Sequence, residues 1–412
     1  MNASAHACFV VGLSLLLASC GNPPNAANVP DEPSSSSTDD APVIVLGRPG
    51  AVRAGAATNS PLQVAEQEPQ NPALSPVPAP RTVDAELSDL VRDPRLATWA
   101  PRASQLLITE LQTLEMLLSS QGANGPDRPI LLRRLGDSYY ELKTSARQEK
   151  HRALQSGRAT SRDIDRPEKL ATAAQKKFLQ YYEMLVDKYP NHCQRPNPAD
   201  PTKSQGCLDD VLYFLALEYQ RLDTPDQARK YFLKLIQAYP VSPWVPSAYL
   251  AFGEFFLAEG ADDPSKYVYA QQAYDKVTQY PPPQNETYGF ANYRLGQVFV
   301  HRQDFTNALL YMTKAIDFSV NFSTVRGSDL LGGISRREIV PIYAQAGTPR
   351  KAEAFFKRLA NDPPGSNEHL VMMLDALVMA YLHENKRVEA ADVCYSFSGG
   401  SAALPSCGQV KP

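Results

Sequence analysis

Leu212-x-x-Leu215-Ala216-x-x-Tyr219, then Ala228-x-x-x-Phe232-x-x-Leu235, closed by Pro240, is the stretch that decides the fold. Its apolar residues fall three and four apart, the spacing of one helix face, twice in succession. Ala216 and Ala228 are separated by eleven residues. Small side chains at such matched places let two helices cross closely, and the larger residues on either side fill the gaps. Pro240 cannot continue the second helix and marks its end. The stretch predicts a helical hairpin with one apolar side.

The pattern recurs along the chain. Leu295-Gly296-x-x-Phe299 precedes Ala308-x-x-x-Met312-x-x-Ala315, again with eleven residues between the small positions. Tyr343, Ala352, Phe356, Leu359 and Pro364 form another unit, and Leu374, Leu377, Tyr381, Ala390 and Cys394 a terminal one. Phe252-Gly253-x-x-Phe256 with Ala270, Ala273, Tyr274 and Pro281 is a looser copy. Leu135-Gly136-x-x-Tyr139 opens the first copy, whose second helix runs from Phe178 to Tyr189 before Pro190. A hairpin cannot bury its apolar side alone, so tandem copies stack.

These spacings resemble the tetratricopeptide repeat of about 34 residues. The resemblance implies an all-α fold, a right-handed α-solenoid of about six hairpins. Asp187-Lys188-Tyr189-Pro190 and Gln237-Ala238-Tyr239-Pro240-Val241-Ser242 resemble phrases of envelope tetratricopeptide proteins. Those include BamD-like lipoproteins of outer-membrane barrel assembly and Tol-Pal-associated CpoB (YbgF) proteins. Ser247 to Phe256, with Tyr280-Pro281-Pro282 and Tyr293-Arg294-Leu295-Gly296, is similar to myxobacterial tetratricopeptide lipoproteins, including those of adventurous gliding motility (AglT/GltE type).

The N-terminus differs from the rest. Phe9 to Ala18 is an apolar run too short to span a bilayer but suited to a signal peptide. Leu17-Ala18-Ser19-Cys20 resembles a lipobox, which implies a signal peptide at 1–19 and a lipid on Cys20. Residues 20–85 read as a disordered tether: twelve of residues 21–80 are Pro, and no aromatic residue occurs before Trp99 beyond Cys20. A capping helix is expected within 86–125, at Ser104 to Ser120, with Leu106, Leu107, Leu111, Leu114 and Leu118 on its apolar face. The solenoid is expected over 126–395, with an insertion at 141–177 made basic by Arg147, Lys150, Arg152, Arg158, Arg162 and Arg166. That insertion reads as a solvated helical extension, or as a docking surface for an acidic partner or anionic lipid.

Six cysteines are present. With Cys8 in the signal and Cys20 lipidated, local pairs Cys193–Cys207 and Cys394–Cys407 are the simplest connectivity, the second closing a tail at 396–412. Each bridge would add about 3 kcal/mol in the loop-entropy account and implies an oxidising compartment. A metal site at His192, Cys193 and Cys207 is the weaker alternative, lacking a fourth ligand.

Net charge is −3 and the pI about 6.1, which argues against nucleic-acid binding. No P-loop, GxGxxG, GxSxG or HExxH is present. The chain reads as non-enzymatic, without cofactor or small-molecule substrate. Gly332-Gly333 reads as a loop between repeats.

In the tetratricopeptide family the first helix of each hairpin lines a groove. Carried onto this sequence, that places Tyr213, Leu217, Gln220, Arg221, Leu250, Glu254, Tyr293, Gln297, His301 and Arg337 on a partner-binding surface. The tail from Ser396 to Pro412 is a competing occupant. The resulting expectation is a protein-binding scaffold of a cell-envelope complex, lipid-anchored at the periplasmic face of the outer membrane. Narrower versions are a gliding-motility component, a barrel-assembly factor, or a receptor for a small ligand or cell-wall fragment.

Overall fold

The structure, a computed structural model, describes residues 87–88, 91–95, 101–122, 124–200 and 204–410. The expected signal peptide, Cys20 and the tether at 20–85 lie outside the described residues. The described residues belong to one unit, Ser75–Pro412.

That unit is all-helical and repeat-like. After α1 (Ser104–Ser120) come α2 (Arg128–Gln155) and α3 (Ser161–Lys188), α4 (Asp209–Arg221) and α5 (Pro225–Ala238), then α6 (Val245–Glu259) and α7 (Lys266–Thr278). They are followed by α8 (Tyr288–His301) and α9 (Phe305–Asn321), α10 (Ser328–Ala346) and α11 (Ala352–Ala360), and α12 (Glu368–His383) and α13 (Arg387–Ser396). Among the described residues the only β-type pairing is an isolated bridge, Arg195 with Gln205, and no strand forms. The most extensive helix contacts join chain neighbours, led by α2 with α3 and including α4 with α5, α6 with α7 and α8 with α9. One apolar core runs through the stack from Leu87 to Leu404.

Three hairpins turn the same way. Asp223, Gln303 and Asn385 hold φ of 54°, 59° and 59°, in the left-handed region. The following amide donates to the carbonyl five residues back: Thr224 to Tyr219 at 3.0 Å, Asp304 to Phe299 at 2.9 Å, and Lys386 to Tyr381 at 2.8 Å. This is the helix-ending motif that satisfies orphan carbonyls while reversing the chain. Within three hairpins a glycine on the first helix permits close crossing. A Cβ on Gly136 would stand 2.2 Å from the Tyr182 ring, on Gly253 2.3 Å from Tyr274, and on Gly296 2.8 Å from Met312.

Several expectations change here. Gly332 and Gly333 lie inside α10, not in a loop. Gly332 faces α9, where a Cβ would come within 2.6 Å of the Ser319 hydroxyl, so close helix crossing explains it. Leu106 is 57% exposed, because it lies off the stripe that α1 buries, Ser104, Leu107, Leu111, Leu114 and Leu118. Residues 141–177, expected as an extended helical hairpin or a docking surface, are continuous with the hairpin of α2 and α3. They lengthen α2 and α3 to 28 residues each, against 13 and 14 in α4 and α5. Glu141 to Lys143, at the start of this stretch, are buried, with Glu141 held by Arg102 at 2.7 Å. The arginines at 147, 152, 158, 162 and 166 are exposed, and Lys150 pairs with Glu168 at 2.8 Å. A capping box at Thr160 and Asp163 starts α3.

Cys193–Cys207 closes the connection between α3 and α4, and Cys394–Cys407 ties the tail to α13. The Ser406 amide and hydroxyl donate to Asp375 on α12 at 2.7 and 2.9 Å, and Leu404 is buried.

Candidate functional site

The ten residues placed on a partner surface by sequence do not form one open face. Tyr213, Leu217, Leu250 and Tyr293 are buried. Their helices are covered on more than one side, so apolar groups that a simple hairpin count turns outward are absorbed by the core. Gln220 and Arg221 are half-buried at the end of α4, and His301 and Arg337 are exposed. His301 stacks on Tyr267 with ring centroids 4.6 Å apart.

Gln220, Arg221 and Tyr213 converge on a segment that the hairpin pattern does not contain: Val91-Arg92-Asp93-Pro94-Arg95. Asp93 is fully buried. Its carboxylate accepts from Arg221 Nη1 at 2.9 Å and from the Tyr140 hydroxyl at 2.9 Å. Arg95 reaches the same carboxylate through Nε at 3.0 Å and Nη2 at 3.2 Å. The Arg95 guanidinium lies between two rings, 3.5 Å from the centroid of Tyr140 and 3.5 Å from that of Phe214. Cation–π attraction is strongest in such desolvated settings. The Tyr213 hydroxyl donates to the Arg92 carbonyl at 2.6 Å, and Arg326 Nη1 to the Asp93 carbonyl at 3.2 Å. Arg92 also donates to the Gln220 side chain. Trp244 backs the site, stacked on Tyr213 at 4.7 Å and edge-on to Phe214 at 5.0 Å.

The charge chain continues inward. Arg221 Nη1 lies 3.8 Å from Glu218, and Glu218 accepts from Lys143 Nζ at 2.6 Å and Gln175 Nε2 at 2.5 Å. Burial alone would push the Asp93 carboxyl up, but Arg95 and Arg221 outweigh it and hold it below the usual carboxylate range. Burial likewise pulls the Lys143 ammonium down, to about 8, against the opposing pull of Glu218. From Arg95 through Asp93, Arg221 and Glu218 to Lys143 the groups alternate in sign, so each buried charge has an opposite neighbour.

Glu254 and Gln297, the remaining two of the expected set, meet Tyr293 in a second cluster. Arg294 grips Glu254 with Nε and Nη2, both at 2.9 Å, and reaches Gln297 with Nη1 at 2.6 Å. Tyr293 donates to Glu338 at 2.8 Å, and Tyr274 to Glu254 at 2.7 Å. The cluster ties α6, α7, α8 and α10 together.

Sequence reasoning missed Tyr140, Lys143, Phe214, Glu218 and the 91–95 segment. The charged pair flanking Pro94 was the one available signal. The tail from Ser396 is anchored on α12, the first helix of the last hairpin, where Ser406 donates to Asp375. Among the described residues no group of three or more His, Cys, Asp or Glu is placed to hold a metal, and both thiols of the alternative site at His192 are bridged. No described helix is long and apolar enough to cross a membrane. Comparison with known family models and with curated proteins found no match to the chain.

Proposed function

We propose that the chain is a lipid-anchored scaffold of a bacterial cell envelope, whose working part is a solenoid of six tetratricopeptide-type hairpins that binds partner proteins. The observation that carries the reading is the repeated hairpin: eleven residues between Ala216 and Ala228 and between Gly296 and Ala308, with the same left-handed turn at Asp223 and Gln303. Stacked hairpins present extended surfaces and serve chiefly in binding. The sequence around Cys20 supports the anchor, and the two disulfides support an oxidising compartment. Tether residues 20–85 would let the scaffold reach roughly 40–50 Å from the membrane. The outer membrane, facing the periplasm, is the proposed location.

The test is membrane fractionation and crosslinking of the native chain beside Cys20→Ala. The reading expects the native chain in the outer-membrane fraction with a defined set of envelope proteins, and the variant released. Those proteins would separate a gliding-motility role from barrel assembly. Two soluble chains that capture nothing would overturn it.

A further inference from the structure

We propose that the cleft between α2 and α4 is a recognition site for a short helical turn of a peptide bearing a carboxylate two residues before a guanidinium, as Asp93 and Arg95 stand in residues 91–95. Residues 91–95 fill it in cis until a partner segment of the same chemistry displaces them.

The contacts divide as they do in peptide recognition. Two backbone carbonyls of the segment are gripped by side chains of the folded unit, Arg92 by Tyr213 and Asp93 by Arg326. Such contacts hold a backbone without reading its sequence. Two side chains are then read. Asp93 meets Arg221 and the Tyr140 hydroxyl, and Arg95 enters the slot between the Tyr140 and Phe214 rings. The walls also pack on residues outside the strap: Tyr140 on Phe178 at 5.7 Å, Phe214 on Tyr213 at 5.4 Å and on Trp244 at 5.0 Å, and Arg221 keeps Glu218 nearby when Asp93 leaves. The site therefore survives loss of its occupant. That occupant lies 128 residues from Arg221 and 233 from Arg326 in sequence, and its seating by α2, α4 and the turn before α10 is a tertiary docking event. It states the chemistry that a competitor must copy.

The partner surface of the scaffold is thus masked by its own strap. The inference rests on the scaffold reading only for the partner's identity. The binding test needs no membrane, anchor or partner, so its failure would leave that reading standing.

The probe is a fluorescein-labelled peptide with the sequence of residues 87–96, titrated by anisotropy into the full chain. In the native chain the tethered strap competes at about millimolar effective concentration. Binding to Asp93→Ala/Arg95→Ala is therefore expected to be at least about tenfold tighter than to the native chain. Adding Arg221→Ala should weaken it again by a similar factor, and a peptide with its Asp and Arg exchanged should bind poorly. Melting curves establish that each variant is folded, and the milder Asp93→Asn should show the same order of affinities if the double variant unfolds. Equal affinity for native and vacated chains, no affinity for a folded vacated chain, or equal binding of the exchanged peptide would overturn the proposal. A native dimer that the peptide splits would also overturn it, assigning the site to a second copy of the chain.

Discussion

Lys143 on α2 and Glu218 on α4 meet at 2.6 Å with side chains 2% and 0% exposed. Two such charges leave water only because each neutralises the other and Gln175 holds the second Glu218 oxygen. The pair couples the first hairpin to the second at the level of the strap.

Removing one partner strands the other. Lys143→Met leaves buried Glu218 with neutral Gln175 and with Arg221 only at 3.8 Å, and is expected to destabilise the chain by about 3–5 kcal/mol. The double variant Lys143→Met/Glu218→Gln should recover most of that loss, since no charge is then left unpaired by the change. Urea unfolding of the singles and the double checks this, and additive losses would refute the coupling.

Acid should loosen the strap. Asp93 has a folded pKa below its free value, so the seated form binds fewer protons than the released form. Its contribution is therefore fully present above the ordinary aspartate value of about 3.9 and is lost as pH falls below it toward the folded pKa. Asp93→Asn should be less stable than the native chain at neutral pH, and the gap should shrink below about pH 4. A gap independent of pH from neutral through the acid range would mean that the Asp93 charge does not hold the strap.

Two helix glycines should respond in opposite directions to alanine. At Gly253 the added Cβ meets the Tyr274 ring at 2.3 Å, so Gly253→Ala should cost about 1–3 kcal/mol through overpacking. At Gly333 nothing lies within 4 Å, and Gly333→Ala should stabilise by about 0.5–1 kcal/mol through helix propensity. Thermal melts of the two variants decide it. Equal shifts would show that crossing distance is not what selects glycine at position 253.

Reduction should act on two separate places. Cys193→Ser/Cys207→Ser is expected to cost about 3 kcal/mol, because the bridge closes the α3–α4 connection that Arg133 grips at the Gly206 and Cys207 carbonyls, at 3.1 and 2.8 Å. Cys394→Ser/Cys407→Ser should mainly free the tail, read as faster hydrogen exchange near Leu404 and Ser406 with little change in α4 to α9. Uniformly faster exchange along the chain would contradict this local role.

The helical character, the buried positions Leu212 and Leu215 of α4 and the local cysteine pairs were legible in the residues alone. The apolar spacing at Leu212, Leu215 and Tyr219 reports one helix's own buried face, and Cys193 and Cys207 stand only 14 residues apart. Such signals are local, and local backbone geometry carries them into the structure. Which inward-facing residues remain available depends on how the helices and the 91–95 segment pack. Tyr213, Leu250 and Tyr293 are closed over by neighbouring helices, and Gln220 and Arg221 are taken by Arg92 and Asp93. Periodicity cannot show this, because the covering groups come from a segment with no repeat of its own, 128 residues away in sequence. The same holds for Lys143 and Glu218, whose charges read as surface residues until two hairpins fold around them.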